Sequence, residues 1–186
     1  MIVDEELEKL RATVRHLKDR QDILDCIQRE SRARDRQDVE MIASCWWEDG
    51  VDEHGAIITA APDYPERANF GHRRGFLQTS HNITNHLCEL DGDIAHCESY
   101  VIGGLAWKHG KRTSIAFGRY LDRMERRGDE WRILTRRCTI EMTCDGDAEW
   151  VNSDAIKGFL KGLWSRKDPS YERPFVARDT NEGVRW

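Results

Sequence analysis

The sequence predicts an α+β fold: a strongly curved, mixed or antiparallel sheet with a cone-shaped interior, covered by N-terminal helices. Long strand patterns recur at hairpin spacing in the C-terminal half, at Asp93–Trp107, Arg112–Arg126 and Glu130–Cys144. The turns between them, Lys108-His109-Gly110-Lys111 and Arg127-Gly128-Asp129, carry the residues that reverse a chain tightly. Three helical patterns precede these strands. Between the two groups lies Thr79–Leu90, where alternation and the following Asp91-Gly92 indicate a strand with His81, Ile83, Asn85 and Leu87 on one face. Polar side chains set among apolar ones need partners, so this face lines a cavity more readily than it fills one.

Taken in order, Leu7, Leu10, Val14 and Leu17 fall at three- and four-residue spacing, which makes Asp4–Lys18 an amphipathic helix with a narrow apolar stripe. Asp19 or Asp22 caps a second helix over Arg20–Arg34, with Ile23, Leu24, Cys26 and Ile27 inward. One turn on, that face carries Glu30, Ser31 and Arg34, so its end opens onto something wet or functional. A third helix runs from Asp38 through Trp46, closed by Asp49-Gly50. On it Trp46 and Trp47 point about 100° apart, one into the core and the other to the rim of a cavity or interface. Val51–Ala60 reads as a short strand, and Ala61–Arg74, with two prolines, as an irregular pocket wall. The tail offers one helix, Ser153–Trp164, and after Pro169 an aperiodic segment that wraps the surface or a neighbouring subunit. Residues 1–150 form the domain, and 151–186 complete it.

A length of 186 residues suits one domain with a substantial core. Charged residues make up 34%, mean hydropathy is -0.74, and no apolar run approaches the roughly 20 residues of a membrane span. The N-terminus lacks a signal-peptide pattern, so the expected location is cytoplasmic. A net charge of -5 and a pI near 5.8 argue against nucleic acid or anionic membrane as partner. Six scattered cysteines without a CxxC pair read as reduced, buried small hydrophobes. No metal is expected: His81 and His86 sit five apart, on opposite faces of a regular strand, and His96 has no ligand at matching spacing.

Asp35 in "RARDRQD", the pair in "ASCWWEDG", "TSHNITN", and the hairpin "GRYLDRMERRGDEWRI" with "LTRR" after it resemble the SnoaL-like branch of the nuclear transport factor 2-like superfamily. The likeness covers about Asp19 to Cys144. Within the branch the sequence is most similar to lindane dehydrochlorinase, and more distantly to bile acid 7-alpha-dehydratase and scytalone dehydratase. The resemblance implies a cystatin-like α+β barrel and an Asp–His dyad formed by Asp35 and His81. It assigns Arg136 as a further catalytic group, Asn85 as a substrate contact, and Glu30 as the residue where relatives carry a lysine or tyrosine that meets the leaving group. Relatives associate as trimers or dimers, and the spare stripe Leu7–Leu17 fits a homo-oligomer.

A neutral histidine is a good base near pH 7 once one ring nitrogen is fixed and the other faces the substrate. A carboxylate holding Nδ1–H does that and stabilises the imidazolium. Asp35 also has an ordinary reading, as the cap of the next helix. Departure of a leaving group needs a cation or donors, and Arg136 supplies one if it shares the inward face with Leu134, Cys138 and Ile140, leaving Arg137 outside. Trp46, Trp47, Tyr100 and Tyr120 are further candidates for contact with substrate, whereas His54 and His72 read as surface residues. Three functions compete: a cofactor-free lyase or isomerase acting on an apolar cyclic molecule, a binding or accessory protein of the same fold, and an assembly protein like a dioxygenase small subunit.

Overall fold

The computed structural model describes residues 2–109, 111–174, 176 and 182–186. Helix α1 (Ile2–Arg36) is continuous, and Asp19 does not interrupt it. The Asp19 carboxylate instead accepts Trp131 Nε1 at 2.9 Å, so a residue predicted to start a helix serves as a buried acceptor in the middle of one. At about 1.5 Å per residue the helix is on the order of 50 Å long. Residues 3–18 stay exposed along its first half, including Leu7, Leu10, Val14 and Leu17. The second half packs on the sheet through Ile23, Cys26, Ile27 and Ala33.

Gln37, at φ 56°, breaks α1, and Asp38 caps α2 (Val39–Ser44) by accepting Met41 N at 3.1 Å. The third helix therefore ends before the tryptophans. Trp46 opens strand β1 (Trp46–His54), which turns at Gly55 into β2 (Ile57–Ala60). On a strand neighbouring side chains oppose each other: Trp46 is 3% exposed against Tyr64, while Trp47 faces out between Arg127 and Arg132. The segment predicted to be irregular is α3 (Tyr64–Gly75), with Pro65 in its first turn, where proline favours a helix start rather than breaking one.

Strands β3 (Phe76–Asp91), β4 (Ile94–Trp107), β5 (Arg112–Arg127) and β6 (Glu130–Asp147) form the predicted meander. Gly110 of the first predicted turn lies outside the described residues. The sheet order is β2-β1-β6-β5-β4-β3, antiparallel except for β1 beside β6, and β2 and β3 remain as edges, so the sheet is not closed. Register shifts interrupt the ladders at several places, and each bends the sheet locally. The shift between Ile83 and His86 also exchanges the faces of β3. Thr79, His81 and Ile83 point inward, but beyond the bulge His86 and Cys88 do, and Asn85 and Leu87 turn to solvent. The predicted face of four residues thus holds only for its first half.

A second bulge sits at Gly118, where an added Cβ would lie 2.1 Å from Thr139 O. Gly118→Ala is expected to lower stability by at least about 1–3 kcal/mol as the backbone is forced apart. An unchanged urea midpoint would show that the two strands yield freely there.

The tail departs from its predicted helix: residues 154–158 form a turn, with Gly158 at φ 82°, and Leu160 enters an isolated bridge with Arg185. Phe159 is 66% exposed, so the apolar stripe had no surface to cover. Asp168, 2% exposed, pairs with Arg36 Nε at 3.0 Å and accepts Leu163 N and Ser170 N. Tyr171 donates to Asp38, which ties the tail to the junction of α1 and α2. Residues 175 and 177–181 of the predicted aperiodic tail lie outside the described residues, and near its end Arg185 forms that isolated bridge with Leu160. No helix among the described residues is long and apolar enough to cross a membrane.

Candidate active site

The last turn of α1 places Asp35 beside β3. Its Oδ1 lies 2.7 Å from His81 Nδ1 and accepts the Thr79 hydroxyl at 3.0 Å, while Oδ2 accepts His81 N at 2.7 Å. The carboxylate thus grips both the ring and the backbone of the histidine, and the capping task goes to Asp38. Burial alone would raise the Asp35 carboxyl, but the hydrogen bonds and charge of His81, with Thr79, hold it below the ordinary carboxylate range. Burial and the nearby Arg34 guanidinium lower the His81 pKa against the pull of Asp35. The ring is therefore neutral near pH 7, with Nδ1 engaged and Nε2 left for a bound molecule.

His81 lines a cavity of about 230 Å³ under the sheet, together with Arg34, His54, His72, Phe76 and Tyr120. Val101, Leu105, Ala116 and Ile140 supply apolar walls. A cavity of about 150 Å³ holds benzene, so this one admits a substituted ring. A more open, polar depression on the other side also reaches Asp35 and His81. The less open and more apolar cavity suits chemistry better, because it limits water around a developing charge.

Arg34, His72, Tyr120 and His54 are four polar groups that line the cavity with His81. Arg34 donates Nη1 to Tyr120 Oη at 3.0 Å and places Nη2 3.3 Å from His72 Nε2. The His72 ring stacks on His81 with centroids 5.4 Å apart and planes 15° from parallel. Burial, then Arg34 and His81, push the His72 pKa down to about 2, so it stays neutral, and its Nδ1 is buried without a partner. Tyr120 is raised by burial and keeps its proton. His54 is held up at about 9 by Asp52 and Cys138, which leaves it cationic at neutral pH.

Several expected site residues lie elsewhere. Arg136 turns inward and Arg137 outward, as the alternation predicts, but Arg136 does not line the cavity. It is fully buried, with Nε and Nη2 on both oxygens of Asp122 at 2.7 and 2.8 Å and Nη1 on Glu30. Two carboxylates occupy its charge. Glu30 likewise serves this ion triad and accepts the Tyr64 hydroxyl at 3.1 Å. Trp46 belongs to the core, Trp47 binds Glu125 O on the outer side, and Asn85 and Tyr100 are exposed. Only Tyr120 of the two tyrosines reaches the cavity.

Arg34, His72 and His54 are the groups that the sequence reading passed over. Arg34 stood among the polar residues noted at the end of an apolar stripe. His72 follows Tyr64 and Ala68 at four-residue steps on the inner side of α3, a period that Pro65 obscures in the sequence.

Residues 15–137 match the SnoaL-like domain family. None of the curated proteins compared with this chain matches it. Among solved structures, a hexachlorocyclohexane dehydrochlorinase, LinA type 2, superposes with TM-score 0.68 at 20% identity, covering 72% of this chain and 93% of its own. A protein from Novosphingobium aromaticivorans DSM 12444, provisionally assigned as a scytalone dehydratase, gives 0.66 at 21%, covering 72% and 91%. A substituted form of the function-unknown Mycobacterium tuberculosis protein Rv3472 gives 0.62 at 29%, covering 69% and 75%.

Proposed function

We propose that this chain, which belongs to the SnoaL-like domain family, is a lyase of the dehydratase or dehydrohalogenase type acting on a small, largely apolar cyclic molecule. The contact of 2.7 Å between Asp35 Oδ1 and His81 Nδ1, set against a half-open, mainly apolar cavity, carries the reading. The dehydrochlorinase and dehydratase named above add support through a shared fold.

In the proposed step His81 Nε2 takes a proton from a ring carbon. The C–H electron pair becomes the new C=C bond, and a halide or hydroxide leaves the adjacent carbon with its bonding pair. Asp35 keeps the imidazole oriented and balances the imidazolium. Negative charge develops toward Arg34 and Tyr120, with the unpartnered His72 Nδ1–H as a further donor. This set takes the electrostatic role first expected of Arg136.

The test is product formation from a panel of halogenated and hydroxylated cyclic compounds, using deuterium at the abstracted position. A primary isotope effect and alkene product are expected; binding without turnover across the panel would leave a non-catalytic binding protein. The pH profile offers an independent check. Because His81 must be unprotonated and its pKa is lowered, kcat/KM is expected to fall only below the ordinary imidazole value of about 6.5. Asp35 raises that pKa, so Asp35→Asn is expected to move the acid limb to still lower pH while reducing the plateau. An acid limb that stays in place in Asp35→Asn would separate the carboxylate from the titrating base.

A further inference from the structure

We propose that His86, Cys88 and Cys97 form a second site, separate from the cavity, that binds one soft divalent cation of the zinc type. His86 and Cys88 are two apart on β3 and share its inner face, which is inner here only because of the bulge after Ile83. Cys97 on β4 lies directly opposite Cys88 in the ladder, and Ser99 opposite His86. A ring nitrogen of His86 and the two Sγ atoms consequently fall within 4.8 Å of one another.

Two features fit a metal better than a patch of core. Ser99 Oγ, in a fully buried residue, lies 2.9 Å from His86 Nδ1 and fixes the ring, while Nε2 is buried with no partner. That is the arrangement in which an outer hydrogen bond orients an imidazole ligand. The two thiolates and one imidazole suit zinc, and three protein ligands leave one position open. Binding releases the two thiol protons, and two thiolates cancel the charge of a divalent cation, so a filled site would add no net charge to the core. Cys88 and Cys97 both belong to that core, beneath α1, where Arg20 Nη1 donates to Cys88 O at 2.7 Å. Because β3 is an edge strand, a metal there would staple it to β4 and steady the strand that carries His81.

The test uses the full chain, reduced and stripped with a chelator, then titrated with Zn²⁺ and with Co²⁺ as the spectroscopic probe. One ion per chain is expected, with thiolate-to-cobalt charge-transfer absorption and a higher midpoint of thermal unfolding. Cys97→Ser is expected to abolish that absorption, and His86→Gln, at a half-buried position, to weaken Zn²⁺ binding at least tenfold in a chain that still folds. Ser99→Ala is expected to cost about tenfold with the absorption retained, and Cys144→Ser, on the exposed end of β6, to change nothing. The site is overturned if the reduced protein shows no saturable binding, if binding survives both Cys97→Ser and His86→Gln, or if thiol counting finds Cys88 and Cys97 joined as a disulfide that excludes the metal.

Discussion

His81→Ala is expected to lower kcat/KM by about 10²–10⁴-fold, the contribution of a positioned general base. The fold should tolerate the change, since Asp35 keeps two of its three donors, the backbone N–H of residue 81 and the Thr79 hydroxyl. A urea midpoint close to wild type with the rate lost is therefore the signature to look for, measured by initial rates and equilibrium unfolding on one preparation. Turnover within twofold of wild type would remove the imidazole from the chemistry. Asp35→Asn should differ in kind. All three groups that contact the carboxylate donate to it, so an amide must turn its N–H₂ toward a donor, and a stability cost of about 1–3 kcal/mol is expected on top of the lost rate.

Arg136→Met is expected to have the largest effect on stability, about 3–5 kcal/mol, because it leaves the buried carboxylates of Glu30 and Asp122 without the guanidinium that both contact. All three side chains are completely buried, so solvent screening offers no relief. Replacing the whole triad, as Arg136→Met with Glu30→Gln and Asp122→Leu, should recover much of that loss. Denaturant melts of the single and triple variants measure both effects. If Arg136→Met melts with wild-type stability but turns over slowly, the guanidinium belongs to the chemistry and the assignment to Arg34 fails.

Much of the architecture is legible before any coordinates. Glycine-containing turns and long alternating segments specify the β3 to β6 meander, because strand pairing across short connections is a local matter. The early apolar stripe correctly marks a helix, and its exposure leaves Leu7, Leu10, Val14 and Leu17 free along the outside. The misreadings have local causes too. Asp19 has the chemistry of a cap, but a distant Trp131 claims its oxygen. Pro65 looks like a breaker and instead occupies a first turn.

Residue types and resemblance were enough to single out Asp35 and His81, 46 positions apart, as a pair worth testing. They were not enough to distribute charge among the arginines. Glu30 and Arg136 stand 106 residues apart, and Arg34 and Tyr120 stand 86 apart. A periodic pattern reports which face a side chain takes, whereas a buried charge is assigned by whichever opposite charge the completed fold brings to it. The sequence by itself determined the run of strands from β3 to β6, the helical character of the N-terminal segment and the kinds of group available to a site. Only the tertiary structure decided that Arg136 is spent on two carboxylates, that Arg34 and His72 face the cavity, and that one bulge turns His86 inward. The physical reason is that desolvated polar groups must find partners, and those partners come from far along the chain.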